Sequence, residues 1–339
     1  MKGFGFLTFG HWRAVEGSRV RTAADALRQT VELAVAAEEI GASGAFVRVH
    51  HFARQLASPF PLLAAMAMRT SRIEIGTGVI DMRYENPLYM AEEAAATDLL
   101  SDGRLQLGVS RGSPELVING YEAFGYVPGP GRTAAEEARA KTAQFLRAIE
   151  GAGIAPGDPR KGPAGLVPIQ PQSPGLRQRI WWGSGTRDTA RWAAEQGLNL
   201  MSSTLLSEDT GVPFHELQAE QIRVFRAAWA QAGWSWTPRV SVSRSVVPIT
   251  TDEDRAYFGD GRDESQDTVG LLEGAVARFG RSYIGEPDVV AEELARDEAV
   301  RLADTLLITV PNMLGVEYNA RLLESFAKYV APALSHDDG

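Results

Sequence analysis

The sequence predicts a (β/α)8 barrel with insertions at its C-terminal mouth, formed as one domain over residues 1–332 with residues 333–339 as a disordered tail. Three observations predict it. Strand-length apolar runs alternate with longer segments of helical period, the pattern of parallel βαβ units. About eight such runs occur, the barrel number. No G-x-G-x-x-G fingerprint supports the alternative, a doubly wound dinucleotide sheet, because GTGVID (76–81) and GSGTRD (183–188) carry Asp where the third glycine belongs.

The strands, in order, are GFGFLTF, GAFVRVHH, RIEIGTGVI, RLQLGVS, RIWWGSG, LNLMSS, RVSVSRSVVPI and DTLLITV. Between the first two lies a helix in which Leu27, Val31, Ala34 and Val35 share a face and Gly41 supplies the stop. Asn86 followed by Pro87 starts another helix, and SDGR (101–104) turns it into the fourth strand. Two stretches interrupt the rhythm: the Pro- and Gly-rich 151–178 and the charged 250–282. Both are expected near the mouth, as lids or as solvated excursions. Trp181, Trp182 and Trp192 are assigned to the core or helix layer.

Composition narrows the chemistry. With no cysteine, the chain has no thiolate nucleophile, Cys-ligated zinc, iron–sulfur cluster or disulfide. A formal charge of −9 opposes nucleic-acid binding and leaves a small molecule as the expected ligand. No apolar run reaches membrane-spanning length, and MKGFGFLTFGHWRAVEG lacks a leader cleavage site, so the expected location is cytoplasmic with no membrane partner.

Four segments could carry chemistry. In GSGTRDTARWAAEQG a strand ends at Gly183-Ser184-Gly185-Thr186 and a helix begins at once, so glycines, exposed N–H groups and hydroxyls suit a phosphate; a plain helix cap is the competing reading. Arg111 follows the strand ending at Ser110, where a guanidinium could complete that site or merely satisfy loop carbonyls. His50 and His51 close the second strand. Neighbouring strand residues face opposite ways, so the pair is a poor metal site, and one imidazole as a proton donor or acceptor is the functional reading; a buried structural histidine competes with it. GTGVID permits close approach of a flat ring, or simply packs tightly. His11 and Trp12, after the first strand, could line a pocket or simply pack.

Five stretches in register, VELAVAAEEIGASGAFVRVHHF, SRIEIGTGVI, NPLYMAEEAAATDLLSDGRLQLGVSRG, RIWWGSGTRDTARWAAEQGL and YIGEPDVVAEEL, resemble the bacterial luciferase-like flavin-dependent monooxygenases. The resemblance implies a barrel binding FMN, or alternatively the deazaflavin F420, at its mouth. It places the phosphate between Arg111 and Gly183, Ser184, Gly185 and Thr186, with Thr189 one turn on, and the ring against Thr77, Gly78 and Val79, with a non-proline cis bond at Gly78-Val79. It makes His50, His51 and Ser110 the catalytic set, with His50 matching the histidine of flavin–oxygen chemistry. The usual Glu-His-His reads Val-His-His here, and the cysteine of luciferase itself is replaced by Ser110. The implied reaction oxygenates a small substrate with reduced FMN and dioxygen through a C4a-(hydro)peroxyflavin, the FMN coming from a separate flavin reductase. F420-dependent hydride transfer and a non-catalytic flavin-binding barrel are the alternatives, with a metal-dependent hydrolase more distant. Relatives also suggest a homodimer through residues 59–69 and 87–100.

Overall fold

A computed structural model describes residues 3–112, 115–162, 164–202, 204–208, 211–259, 266–272 and 275–334. Eight parallel strands close in sequence order: β1 Gly3–Thr8, β2 Gly44–Val47, β3 Glu74–Asp81, β4 Leu105–Ser110, β5 Ile180–Ser184, β6 Asn199–Ser202, β7 Val240–Arg244 and β8 Thr305–Thr309. β8 pairs with β1 in register Phe6↔Ile308 and leaves no open edge in the barrel. The expected eight-stranded barrel is therefore present, though the run RVSVSRSVVPI divides. Its second half, Val246–Pro248, leaves the barrel and pairs with Tyr283–Gly285.

Strand alternation sorts the core into two layers. Phe6, Ala45, Leu107, Trp182, Leu200, Val242 and Leu306 face the helices, while Leu7, Phe46, Trp181, Met201 and Leu307 fill the barrel with Val79 against them. Trp182 meets Trp192 edge-on in the outer layer. The helices that cover the sheet include α1 Ala23–Ile40, α2 Pro59–Arg69, α3 Pro87–Leu100, α4 Ala134–Ile149, α5 Arg187–Glu195, α6 Phe214–Ala232, α7 Pro287–Arg296 and α8 Val316–Ser325. α1 ends on Gly41 at φ 92°, and the Asn86 side chain caps α3, both as the sequence predicts. The buried face of α1 differs from expectation: Ala26, Thr30, Leu33, Ala34 and Ala37 pack inward, while Leu27 is 44% exposed. The two candidate stripes overlap at Ala34. Small side chains let the helix approach the sheet closely, an advantage that ranking by hydrophobic size misses.

The insertions do not share one end. Residues 151–178 follow α4 and precede β5, a helix-to-strand connection, which places them at the strands' N-terminal end. Asp98, in the last turn of α3, accepts there from Ser173 Oγ and Arg179 Nη2, both at 2.6 Å, and Arg177 donates to the carbonyl of Gly197 just before β6. The expectation of a mouth position for 151–178 thus fails. Within 250–282, the hairpin Thr268–Leu272 and Ala275–Phe279 pairs with Leu205–Leu206 just beyond the C-terminal end of β6, so this insertion does reach the mouth. Of the expected tail, residues 333 and 334 belong to the helix Ala331–Leu334, and 335–339 lie outside the described residues.

Candidate active site at the barrel mouth

Pairing of β2 ends at Val47, after which the Arg48 N–H donates to Thr8 O and the His50 N–H donates to Leu56 O at 2.9 Å. Residues 48–51 are therefore loop, and the alternation that was to send His50 and His51 to opposite faces does not apply. Both line one small cavity with Arg48, Val79, Asp81, Ser110 and Glu115. No group of three metal-binding side chains occurs among the described residues.

His50 Nδ1 pairs with Gln55 Oε1, whose amide nitrogen meets His11 Nε2 at 2.9 Å. Because a carboxamide oxygen only accepts, this pairing puts the proton on Nδ1 and presents Nε2 as an acceptor, 3.5 Å from Arg48 Nε. Burial and the Arg48 charge hold the imidazole below its usual 6.5, against the opposing effect of Gln55. At neutral pH the ring is a neutral base. His51 stacks on Tyr84 with centroids 4.0 Å apart, and its Nε2 is buried without a hydrogen-bond partner among the described residues. Burial lowers its pKa too. Asp81, not residue 49, is the carboxylate that acts on both rings.

These depressed pKa values give a stability prediction with a definite sign. The unfolded chain takes up the two protons near 6.5, and the folded chain only at lower pH, so stability is complete above about pH 7 and declines as pH falls below about 6.5 until the folded rings titrate. Glu85, whose carboxyl burial raises to about 7, acts in the opposite sense over the same range, so the histidine contribution is read as a difference: between about pH 7.5 and 5.5 His51→Phe, which keeps a ring on Tyr84, should lose less melting temperature than the wild type. An unchanged drop in the variant would remove His51 from the linkage.

On β3 the Thr77 hydroxyl donates to Gly108 O at 2.8 Å and accepts from Gly108 N–H at 3.0 Å, so it is used within the sheet. The Gly78-Val79 bond is cis. Val79 rests over glycines: a Cβ on Gly183 would lie 3.1 Å from Val79 Cγ1, and one on Gly108 would lie 3.0 Å away. With Leu7, Phe46, Trp181, Met201 and Leu307, Val79 forms an apolar floor. Ser110 is buried beside it in register with Asp81, and its Oγ accepts from Gly112 N–H.

Across the mouth, Thr186 caps α5 in a capping box with Thr189, and Ser184 Oγ donates to Thr186 O. The cap reading is correct as far as these hydroxyls go, but it does not use the whole helix start. Glu208 Oε2 accepts from the Arg187 backbone N–H at 3.3 Å and from its Nε at 3.2 Å. A carboxylate thus stands where an anionic ligand of this helix would stand. Arg111 is exposed and makes no ion pair with the described residues. An apolar floor, glycine-lined strands and a helix start that already accepts an oxyanion fit a flavin phosphate and ring.

Sequence reasoning missed Arg48, Gln55, Asp81, Glu115 and Glu208. Arg48 was discoverable, since it continues the inward positions Gly44 and Phe46 of an otherwise apolar run. Asp81 ends β3 and is gripped by Arg83 through Nε at 3.1 and 3.0 Å and Nη2 at 2.7 Å. Glu115 pairs with the Tyr84 hydroxyl and Arg83, contacts spanning some thirty residues that no local pattern announces.

Comparison with known proteins bears on the fold and the family. The oxygenase component of flavin-dependent trigonelline monooxygenase from Acinetobacter baylyi is 32% identical over 102 residues, 28% of either chain. An F420-dependent glucose-6-phosphate dehydrogenase from Amycolatopsis mediterranei is 36% identical over 103 residues, 28% of this chain and 31% of the other. These aligned stretches span less than a third of the curated relatives' length. The oxygenating constituent of 3,6-diketocamphane monooxygenase from Pseudomonas putida, solved with FMN, shares the fold with TM-score 0.70 and 17% identity over 98% of this chain and 99% of that one. Residues 1–258 match the luciferase-like monooxygenase family, and the chain belongs to that family of enzymes.

Proposed function

We propose that this protein oxygenates a small organic substrate with dioxygen and reduced FMN, the FMN being delivered by a separate flavin reductase in the same compartment, taken as the cytoplasm. The observation that carries the reading is the arrangement of one mouth: a neutral imidazole at His50 on one side, an oxyanion-accepting helix start at α5 on the other, and the Val79 floor between them. Bound reduced FMN supplies the electrons that activate dioxygen. Arg111 and the N–H groups at the start of α5 hold its phosphate, with Gly183 and Gly185 allowing close approach and Ser184, Thr186 and Thr189 fixing the turn. Thr77, Gly78 and Val79 support the ring. His50 Nε2 takes a proton from the reacting group, and Ser110 and His51 close the same cavity against water. The barrel and its insertions act as one domain over residues 1–332.

Reduced FMN and reduced F420 are to be titrated anaerobically against the protein, followed by oxygen uptake with aldehyde, amine, sulfonate and aromatic substrates. FMN is expected to bind more tightly, with uptake dependent on one substrate class. Preferential F420 binding would favour hydride transfer, and FMN binding without substrate-dependent uptake would leave a flavin carrier. The proposal includes a homodimer through α2 and α3, which expose Met68, Tyr89, Leu99 and Leu100. Light scattering at micromolar concentration checks it.

A further inference from the structure

Among the described residues, Arg48 is a cation with no anion. Its guanidinium lies half-buried over the Phe9 ring, with Cζ 5.5 Å from the centroid, and its hydrogen bonds among the described residues are marginal ones at 3.5 Å, to the Gly78 carbonyl and to His50 Nε2. The neighbouring carboxylates are committed elsewhere. Asp81 is held by Arg83, and Glu115 by Arg83 and Tyr84. Although the chain has 43 acidic residues against 34 basic ones, no carboxylate pairs with Arg48 among the described residues. Burial lowers its pKa to about 10, which still leaves it charged at neutral pH. A guanidinium partly withdrawn from water without a counterion is disfavoured unless something else supplies the charge, and its planar fork matches a carboxylate or similar oxyanion.

We infer that Arg48 is a substrate-binding residue and that the substrate carries an oxyanion, of which a carboxylate is the simplest form. This rests on the oxygenase reading above and deepens it. The flavin phosphate is not the anion in question, because β3 and β4 separate β2 from β5, and the helix start that suits phosphate follows β5. Arg48 instead adjoins His50 Nε2, so an oxyanion on its fork is anchored beside the proton acceptor.

The test uses the full chain with and without FMN, and two pairs of probes of matched shape: benzoate against benzamide, and hexanoate against hexanamide. Calorimetric titration of the wild type is expected to favour the carboxylate of at least one pair by about tenfold or more, the scale of a charge-assisted contact. Arg48→Met should abolish that preference and Arg48→Lys should retain part of it, with FMN and riboflavin affinities changed by less than about twofold. Thermal melts of both variants establish that they fold. A wild type without preference, or a preference that survives in Arg48→Met, overturns the inference. So does an equal loss of FMN and riboflavin affinity in Arg48→Met, because that assigns the cation to the flavin ring; the oxygenase reading then stands. If the wild type binds no flavin while its carboxylate preference depends on Arg48, the anion site is supported and the oxygenase reading falls.

Discussion

His50→Ala is expected to lower substrate-dependent oxygen uptake by about 100- to 10,000-fold while leaving FMN affinity within about twofold, the range typical of losing a general acid–base group. The reason lies in how the ring is held. Gln55 fixes the proton on Nδ1, burial and Arg48 keep the ring neutral, and Nε2 is left as an acceptor beside Arg48. The bond from the His50 backbone to Leu56 does not depend on the side chain, so the loop should survive the substitution. Gln55 is a positioning residue, and its test is the pH profile. Gln55 raises the His50 pKa, so Gln55→Leu should move the acid limb of the rate profile to lower pH as well as reducing the rate. A purely structural glutamine would change the rate without moving the limb. Because both imidazoles line one cavity, His51→Phe is the companion variant. Should the larger loss follow His51, the proton acceptor is its Nε2, buried and unpartnered among the described residues, and the role assigned to His50 is wrong.

The barrel was legible because its signals are local and repeated. Period-2 alternation in β4 separates Leu105, Leu107 and Val109 from Gln106, Gly108 and Ser110, and the structure keeps that division: the first three join the helix-facing core, while Gln106 accepts from Trp181 Nε1 inside the barrel. The cap at Thr186 was equally plain. What failed depends on where pairing stops or on distant partners. Nothing in FVRVHH marks Val47 as the last paired residue, and one loop turn was enough to bring both histidines to the same cavity. The misplacement of 151–178 is of another kind, since chain order held the answer: a segment after a helix and before a strand lies at the strands' N-terminal end. Glu208 meets Arg187 across 21 residues, a contact set by the return of the chain from β6 rather than by any periodicity.

That contact bears on the second large effect. Arg111→Ala is expected to weaken FMN binding by roughly 10- to 150-fold while sparing riboflavin, since a charge-assisted contact is worth about 1.5 to 3 kcal/mol and only FMN carries the phosphate. Arg111 is exposed, so the lower end applies unless the bound phosphate shields it from water. Glu208→Gln should act in the opposite direction. Its carboxylate accepts from the first N–H of α5 and is bound to Arg187, so a phosphate seated there meets a like charge or must displace it. Removing that charge while keeping the side-chain length should tighten FMN by several-fold, about 1 kcal/mol for partly exposed groups, and leave riboflavin unchanged. Arg187 retains Glu220 as a partner at 2.8 Å, so the helix start should keep its shape. Parallel titrations of both flavins against both variants decide the matter. Equal losses for FMN and riboflavin in Arg111→Ala would make Arg111 a scaffold residue, and weaker FMN binding in Glu208→Gln would mean that the carboxylate orders the phosphate site instead of competing for it.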